Sequence, residues 1–165
     1  MNSKRKIAAF LKESNAIEGV YDDDSFVTAR HAWKYLLGCD RLQVANILRA
    51  HSLLMSNQPI AHKDKGAYRD CGVAVGGRVC PEPFTVPARM EGWIYGANML
   101  PIKTEDSIKE DHIGFECIHP FIDGNGRIGR ILMNWQRVKS GLDILVIKES
   151  EKHKYYEWFE IDVFA

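Results

Sequence analysis

Between residues 66 and 87 the chain carries four glycines (Gly66, Gly72, Gly76, Gly77) and three prolines (Pro81, Pro83, Pro87). No continuous helix can cross such a stretch, because proline lacks the helix N–H donor and glycine pays the largest ordering entropy. Val73, Val75 and Val79 flank the Gly76-Gly77 pair, the pattern of a short antiparallel hairpin with a tight turn. A lone hairpin is marginally stable. This one must therefore lean on whatever surrounds it.

What surrounds it reads as helix. Ile7, Phe10, Leu11 and Ile17 fall near one face of a first helix that Gly19 ends. Asp22, Asp23, Asp24 and Ser25 supply capping groups for a second helix at about 25–37, stopped by Gly38. Asp40 is placed to cap a third, which carries Leu42, Ala45, Ile47, Leu48 and Leu53. Further helical patterns occupy about 88–100, 105–118 and 126–140, the last ended by Gly141, and a final helix is expected at about 149–161 with Tyr155, Tyr156, Trp158 and Phe159. The expected class is mainly α with one hairpin.

Lys+Arg and Asp+Glu stand at 22 each, so no basic surplus points to nucleic acid. No apolar run is long enough to cross a membrane. Lys4-Arg5-Lys6 before Ile7–Leu11 has the charge of a signal peptide, but its apolar part is short and Lys12-Glu13 closes it, so an amphipathic helix is the better reading. Cys39, Cys71, Cys80 and Cys117 form no CxxC pair and no zinc spacing. Free thiols in a reducing, cytoplasmic setting are expected.

Chemistry concentrates in His119-Pro120-Phe121-Ile122-Asp123-Gly124-Asn125-Gly126-Arg127-Ile128-Gly129-Arg130. Glycines at a loop-to-helix junction let main-chain N–H groups approach a ligand, and the first N–H groups of a helix suit a phosphate. Arg127 and Arg130 are three apart on neighbouring positions of one helix face, where two guanidinium groups can grip further phosphate oxygens. Asp123 precedes the cradle and is placed to hold Mg²⁺. His119, at the other rim, can take a proton from an incoming hydroxyl. Base, metal ligand, cradle and charge clamp are the parts that phosphate chemistry needs.

This segment resembles the Fic family signature, HPFx(D/E)GNGRxxR, at every fixed position, and Phe115–Ile118 resembles that family's approach helix. The likeness runs loosely from about Ser14 to Tyr156. It implies a Fic fold, with residues 72–87 as a flap that aligns a target segment by strand pairing. It implies that His119 is the general base, Phe121 a buried anchor and Asp123 the Mg²⁺ ligand. Gly124, Asn125 and Gly126 would form the anion hole, with Asn125 near the α-phosphate; Arg127 would hold the phosphates and Arg130 the γ-phosphate. The implied activity is transfer of AMP from ATP to a hydroxyl of a target protein, another copy of the chain included; homo-oligomers are a further expectation.

Ser14-Asn15-Ala16-Ile17-Glu18-Gly19 reads by itself as a helix end. It also resembles the family's inhibitory motif, (S/T)xxxE(G/N). The resemblance implies that Glu18 pairs with Arg130 in the place of the γ-phosphate, with Ser14 fixing the helix. Residues 1–24 are then an inhibitory segment and 25–165 the core. Other outcomes stay open: transfer of UMP or phosphate, removal of AMP with Glu18 positioning a water, or a nucleotide-binding module without catalysis. Tyr155 and Tyr156 fall where the family often places adenine-pocket residues, although terminal-helix aromatics are commonly core. His112, one helical spacing from Phe115 and Glu116, is expected in a structural or surface role ahead of one near the site.

Overall fold

The computed structural model describes residues 3–160. Seven α-helices follow in order among them: α1 Ser3–Ile17, α2 Asp23–Leu37, α3 Val44–Leu54, α4 Val86–Met99, α5 Glu105–Ile118, α6 Asn125–Lys139 and α7 Lys152–Tyr156. A two-stranded hairpin, β1 Ala74–Val75 and β2 Arg78–Val79, stands between α3 and α4. The molecule is mainly α, as its apolar spacing indicates.

α6 is the axis. From Ile128 to Arg137 every residue is buried. α5, α2, α1 and α3 pack on it, so its faces are covered by helices and not by solvent. Phe10 and Leu11 of α1, Trp33 and Leu36 of α2, Ile47 and Leu54 of α3, Met90 of α4 and Phe115 of α5 join Ile128, Ile131 and Leu132 in one cluster. Burial at about 25 cal/mol per Å² of apolar surface is what holds these helices together.

Local chemistry sets the helix ends. Asp22 Oδ1 accepts from Ser25 N–H at 2.7 Å and caps α2. α1 ends in a Schellman arrangement: Val20 N–H donates to Asn15 O at 3.1 Å and Gly19 N–H to Ala16 O at 2.9 Å, with Gly19 at φ 72°. That ending fixes the direction in which Glu18 leaves the helix.

Three expectations need correction. Asp40 does not cap the third helix, which starts at Val44 after Gln43 with no side-chain cap. Asn98 of α4 holds both Leu42 N–H and Leu42 O, at 3.1 and 2.8 Å, and a main chain paired across the fold cannot also enter the helix. The hairpin is shorter than 72–87. Its pairing closes with Cys80 N–H to Val73 O, after which Pro83–Thr85 form a 3-10 turn and Val86 opens α4. The final helix is not continuous: 3-10 turns at Glu149–Glu151 and Glu157–Phe159 flank a five-residue α7. Its expected end at Ile161 lies outside the described residues.

Candidate active site

α5 stops at His119, which takes the left-handed conformation (φ 49°) and is the non-glycine residue with positive φ among those described. A left-handed non-glycine residue stores about 1–3 kcal/mol of strain, a feature found at functional sites. The chain then crosses Pro120–Asp123, turns at Gly124 (φ 83°) and enters α6. Asn125 closes this loop: its Oδ1 accepts from Phe121 N–H at 2.9 Å and its Nδ2 donates to Phe121 O at 2.8 Å. The Asn125 side chain is thus committed to the loop, and its main-chain N–H is what remains for an anion.

The loop has a floor. Phe121 is fully buried and stacks on His51 at 3.7 Å between ring centroids. His51 Nδ1 accepts from Gly66 N–H at 2.9 Å, so its Nε2 carries the proton and donates to Asp123 O, also at 2.9 Å. Burial, the largest cause, pulls the His51 pKa down to about 4, which keeps the ring neutral. Met55 lies against Gly124, where a Cβ would collide with its sulfur.

No side chain caps α6. Its first-turn N–H groups are therefore turned toward the loop without a helical partner. Arg127 is buried beside them with Nε and Nη1 unpartnered; Nη2 meets Met55 Sδ at 3.3 Å and Asp123 Oδ2 at 3.8 Å. A buried guanidinium with two idle nitrogens is a strong sign of an acceptor to come. Asp123 Oδ1 takes Gly124 N–H, while about half of its side chain stays open to solvent.

Arg130 differs sharply. Fully buried, it donates Nε to Ser14 Oγ at 2.9 Å, Nη2 to Ser14 O at 2.9 Å and to Glu18 Oε1 at 2.8 Å, and Nη1 to Tyr155 Oη at 3.3 Å. Glu18 Oε1 also lies so close over Gly126 that a Cβ there would collide with it. A carboxylate from the residue just past α1 thus sits on the first turn of α6.

His119, Glu18, Gly126, Arg130, Tyr155 and Tyr156 line one cleft of about 530 Å³, and Val75, Gly76 and Arg78 of the hairpin form its rim. Tyr155 is buried and hydrogen-bonds His112 Nε2 at 2.8 Å, so it is a core residue as well as a wall of the cleft; Tyr156 is half exposed. Burial pushes the His112 pKa down to about 3.

Arg69 carries a role that sequence reading missed. Only 3% exposed, it donates Nε to His119 O at 2.7 Å, Nη1 to Cys71 O at 2.9 Å, and Nη2 to Pro81 O at 2.6 Å and Ile118 O at 3.3 Å. Its own N–H donates to Pro120 O. One guanidinium thus ties the hairpin base to the His119 loop.

The family model of the Fic/DOC family matches residues 41–136, more than half of the chain. The chain belongs to the Fic/DOC family. Among curated relatives of this Fic/DOC chain, "Protein adenylyltransferase Fic" of Culex quinquefasciatus is 29% identical over 126 residues, 74% of this chain and 25% of that protein. The protein of the same name from Drosophila willistoni is 31% identical over 127 residues, 73% of this chain and 24% of that one. The chain thus spans about a quarter of the length of these relatives. In fold, it resembles a Fic-domain-containing signaling protein from Bacteroides thetaiotaomicron, with a TM-score of 0.81 at 21% identity over 97% of this chain and 74% of that one. It likewise resembles Fic-1 of C. elegans, with a TM-score of 0.80 at 19% identity, covering 98% of this chain and 56% of that one.

Proposed function

We propose that this Fic/DOC chain transfers AMP from ATP to a hydroxyl side chain of a protein and is restrained by its own Glu18. The observation that carries this reading is the Glu18 carboxylate, seated over Gly126 and paired with Arg130. An acidic side chain occupying a helix N-terminus marks the place as built for anions. The Arg127 guanidinium beside it, with Nε and Nη1 unpartnered, supports a polyphosphate over a single small anion.

The residues fit a short mechanism. Main-chain N–H groups of Gly124–Arg127 and the Arg127 side chain receive the α- and β-phosphates; Arg130 receives the γ-phosphate once Glu18 withdraws. His119 takes the proton of the attacking hydroxyl at Nε2. A bond then forms between that oxygen and the α-phosphorus, the bond to the β-phosphate oxygen breaks, and pyrophosphate leaves. Positioning and charge stabilisation supply most of such a rate. Among the described residues no group of three or more His, Cys, Asp or Glu side chains gathers to hold a metal. Mg²⁺ on a nucleotide needs only one or two carboxylates, since phosphates and waters complete its shell, and the half-open Asp123 is suited to that. Bound there, Mg²⁺ would neutralise phosphate charge.

The target segment docks along the hairpin by main-chain pairing, and another copy of the chain is an eligible target. Among the described residues no helix is long and apolar enough to cross a membrane. A second reading, removal of AMP, draws on Glu18 and His119 lining the same cleft; the carboxylate would then aim a water at the phosphorus.

Transfer of α-labelled ATP into protein tests the first reading on the parent, Glu18→Gly, and Glu18→Gly with His119→Ala. Label confined to Glu18→Gly is the expected result. Label absent from all three, with lysate and purified protein as acceptors, sinks it. Release of AMP from labelled protein by the parent and not by Glu18→Gly would favour the second.

A further inference from the structure

Glu116, its side chain 12% exposed, lines the cleft and has no part in the chemistry described so far. It stands three residues before His119 at the end of α5, so the two side chains share a helix face. Both line the cleft. Glu116 Oε2 lies 3.8 Å from His119 Nδ1. His119 Nδ1 and Glu116 Oε1 are both enclosed without a hydrogen-bond partner. Unpartnered buried polar atoms are costly, and an imidazole nitrogen and a carboxyl left idle side by side call for an explanation.

The fold makes room for this carboxyl. A Cβ at Gly129 of α6 would collide with Glu116 Oε1, so the glycine leaves a notch that the carboxyl fills. The charges facing the pair come from several elements. Arg130 on α6 favours the ionised carboxyl and Glu18, just past α1, opposes it. Around the imidazole, Arg69 and Arg78 oppose a positive charge and Glu18 favours it. Tyr155, from α7, adds a neutral hydroxyl to the same wall.

We propose that Glu116 is a positioning residue for His119: its carboxylate accepts the Nδ1 proton after a small side-chain rotation, which leaves Nε2 unprotonated toward the cleft. The inference rests on the reading of His119 as base. An acceptor on one ring nitrogen decides the tautomer and stabilises the imidazolium that forms when the other takes a proton. The hydroxyl proton moves to Nε2 as its oxygen bonds to the α-phosphorus and pyrophosphate departs. The Nδ1 proton stays between the imidazole and Glu116, so Glu116 exchanges no proton in the net step.

Titration behaviour agrees with the geometry. Burial raises the Glu116 pKa to about 7, against Arg130 and with Glu18. Burial lowers that of His119, partly offset by the Glu116 main-chain carbonyl. Burial therefore disfavours the charged form of each group, and at 3.8 Å the state of one bears on the other. Glu18 in its inhibitory position discourages Glu116 from ionising, so its withdrawal both opens the phosphate site and frees the acceptor.

Histidine-ring ¹⁵N NMR across a pH series tests this without any catalysis, with His119→Ala assigning the signal. At about pH 8 the parent ring is expected as the Nδ1–H tautomer, and its shifts should bend again where the Glu116 carboxyl titrates. Glu116→Gln should lose the tautomer preference and lower the ring pKa by about one unit. An unchanged tautomer and pKa would mean that the main-chain carbonyl alone orients the ring, and the idea is wrong. If Glu116→Gln fails to fold, the parent's shared inflection decides the matter: its absence overturns the proposal. In the Glu18→Gly background, Glu116→Gln should lower kcat about 10–100-fold with little change in KM for ATP, and move the acid limb of kcat/KM to lower pH. Absence of AMP transfer in Glu18→Gly itself would count against the proposed function, while the NMR result still decides the role of Glu116.

Discussion

Arg69 joins two parts of the molecule that the proposed transfer would bring together, the hairpin base and the His119 carbonyl. Arg69→Ala removes four hydrogen bonds and strands buried carbonyls. A loss of about 2–4 kcal/mol of stability is expected, read from urea unfolding. Arg69→Lys should recover only part of it, since one ammonium cannot span carbonyls on both sides. A second residue-scale effect depends on pH. His112 is depressed to about 3 in the fold, so the unfolded chain binds a proton first as the solution is acidified. Its contribution is full above about pH 6.5 and is lost as pH falls toward 3, about 2 kcal/mol by pH 5. Melting curves at about pH 7 and pH 5 should show this drop, and His112→Asn should show less of it. The candidate segment from His119 to Arg130 stands out in the sequence because its glycines, arginines and carboxylate are contiguous, within one loop and one helix turn. Arg69 and His51 do not, because each bonds main-chain atoms of distant segments, and a side chain that recognises a carbonyl leaves no pattern in the residues it holds.

At the scale of elements, helices were legible where apolar period and capping agree, as in α2 with Asp22 and α6 up to its end. They were misread where a tertiary contact overrides a local signal. Asp40 offers a cap, yet Asn98 captures Leu42 and delays α3. The aromatic run at 155–159 suggests one helix, yet the segment breaks so that Tyr155 reaches His112 and Arg130. The hairpin was read correctly at its turn. Gly76 and Gly77 have φ 56° and 79°, both positive, as a type I′ turn demands. Gly77→Val should cost the hairpin about 1–2 kcal/mol. Because β1 and β2 are exposed, global melting should hardly move. Proteolytic cutting near residues 73–80 should rise, and transfer to a protein target should fall while ATP affinity holds. An equal loss of ATP affinity would mean that the hairpin shapes the nucleotide site and not only the target's path.

For the molecule as a whole, the proposed brake raises the question of how it would let go. α1 buries Phe10, Leu11 and Ile17, the first two in the shared core, and Lys6 bonds Asp143 at 2.8 Å while Glu13 accepts from Glu149 N–H at 2.7 Å. Detaching α1 would expose that apolar face, at about 1.5–3 kcal/mol for each large side chain. Withdrawal of Glu18 alone is far cheaper, since its carboxylate lies past the helix end and is 37% exposed. Release should therefore be a local movement of the Glu18 side chain with α1 still docked. Two variants separate the alternatives. Glu18→Gly leaves Arg130 buried with Ser14 and Tyr155 as its remaining partners, so without nucleotide it should melt lower than the parent by about 1–3 kcal/mol, a half-exposed pair counting for less than a buried one. Saturating ATP should more than restore it, because a ligand that binds only the folded state stabilises by mass action, and should move the parent little. Removal of residues 1–19 should instead give a chain that melts far lower or does not fold, with or without ATP. A truncated chain as stable as Glu18→Gly would show that α1 is dispensable to the core and that the brake can release by lifting the whole helix.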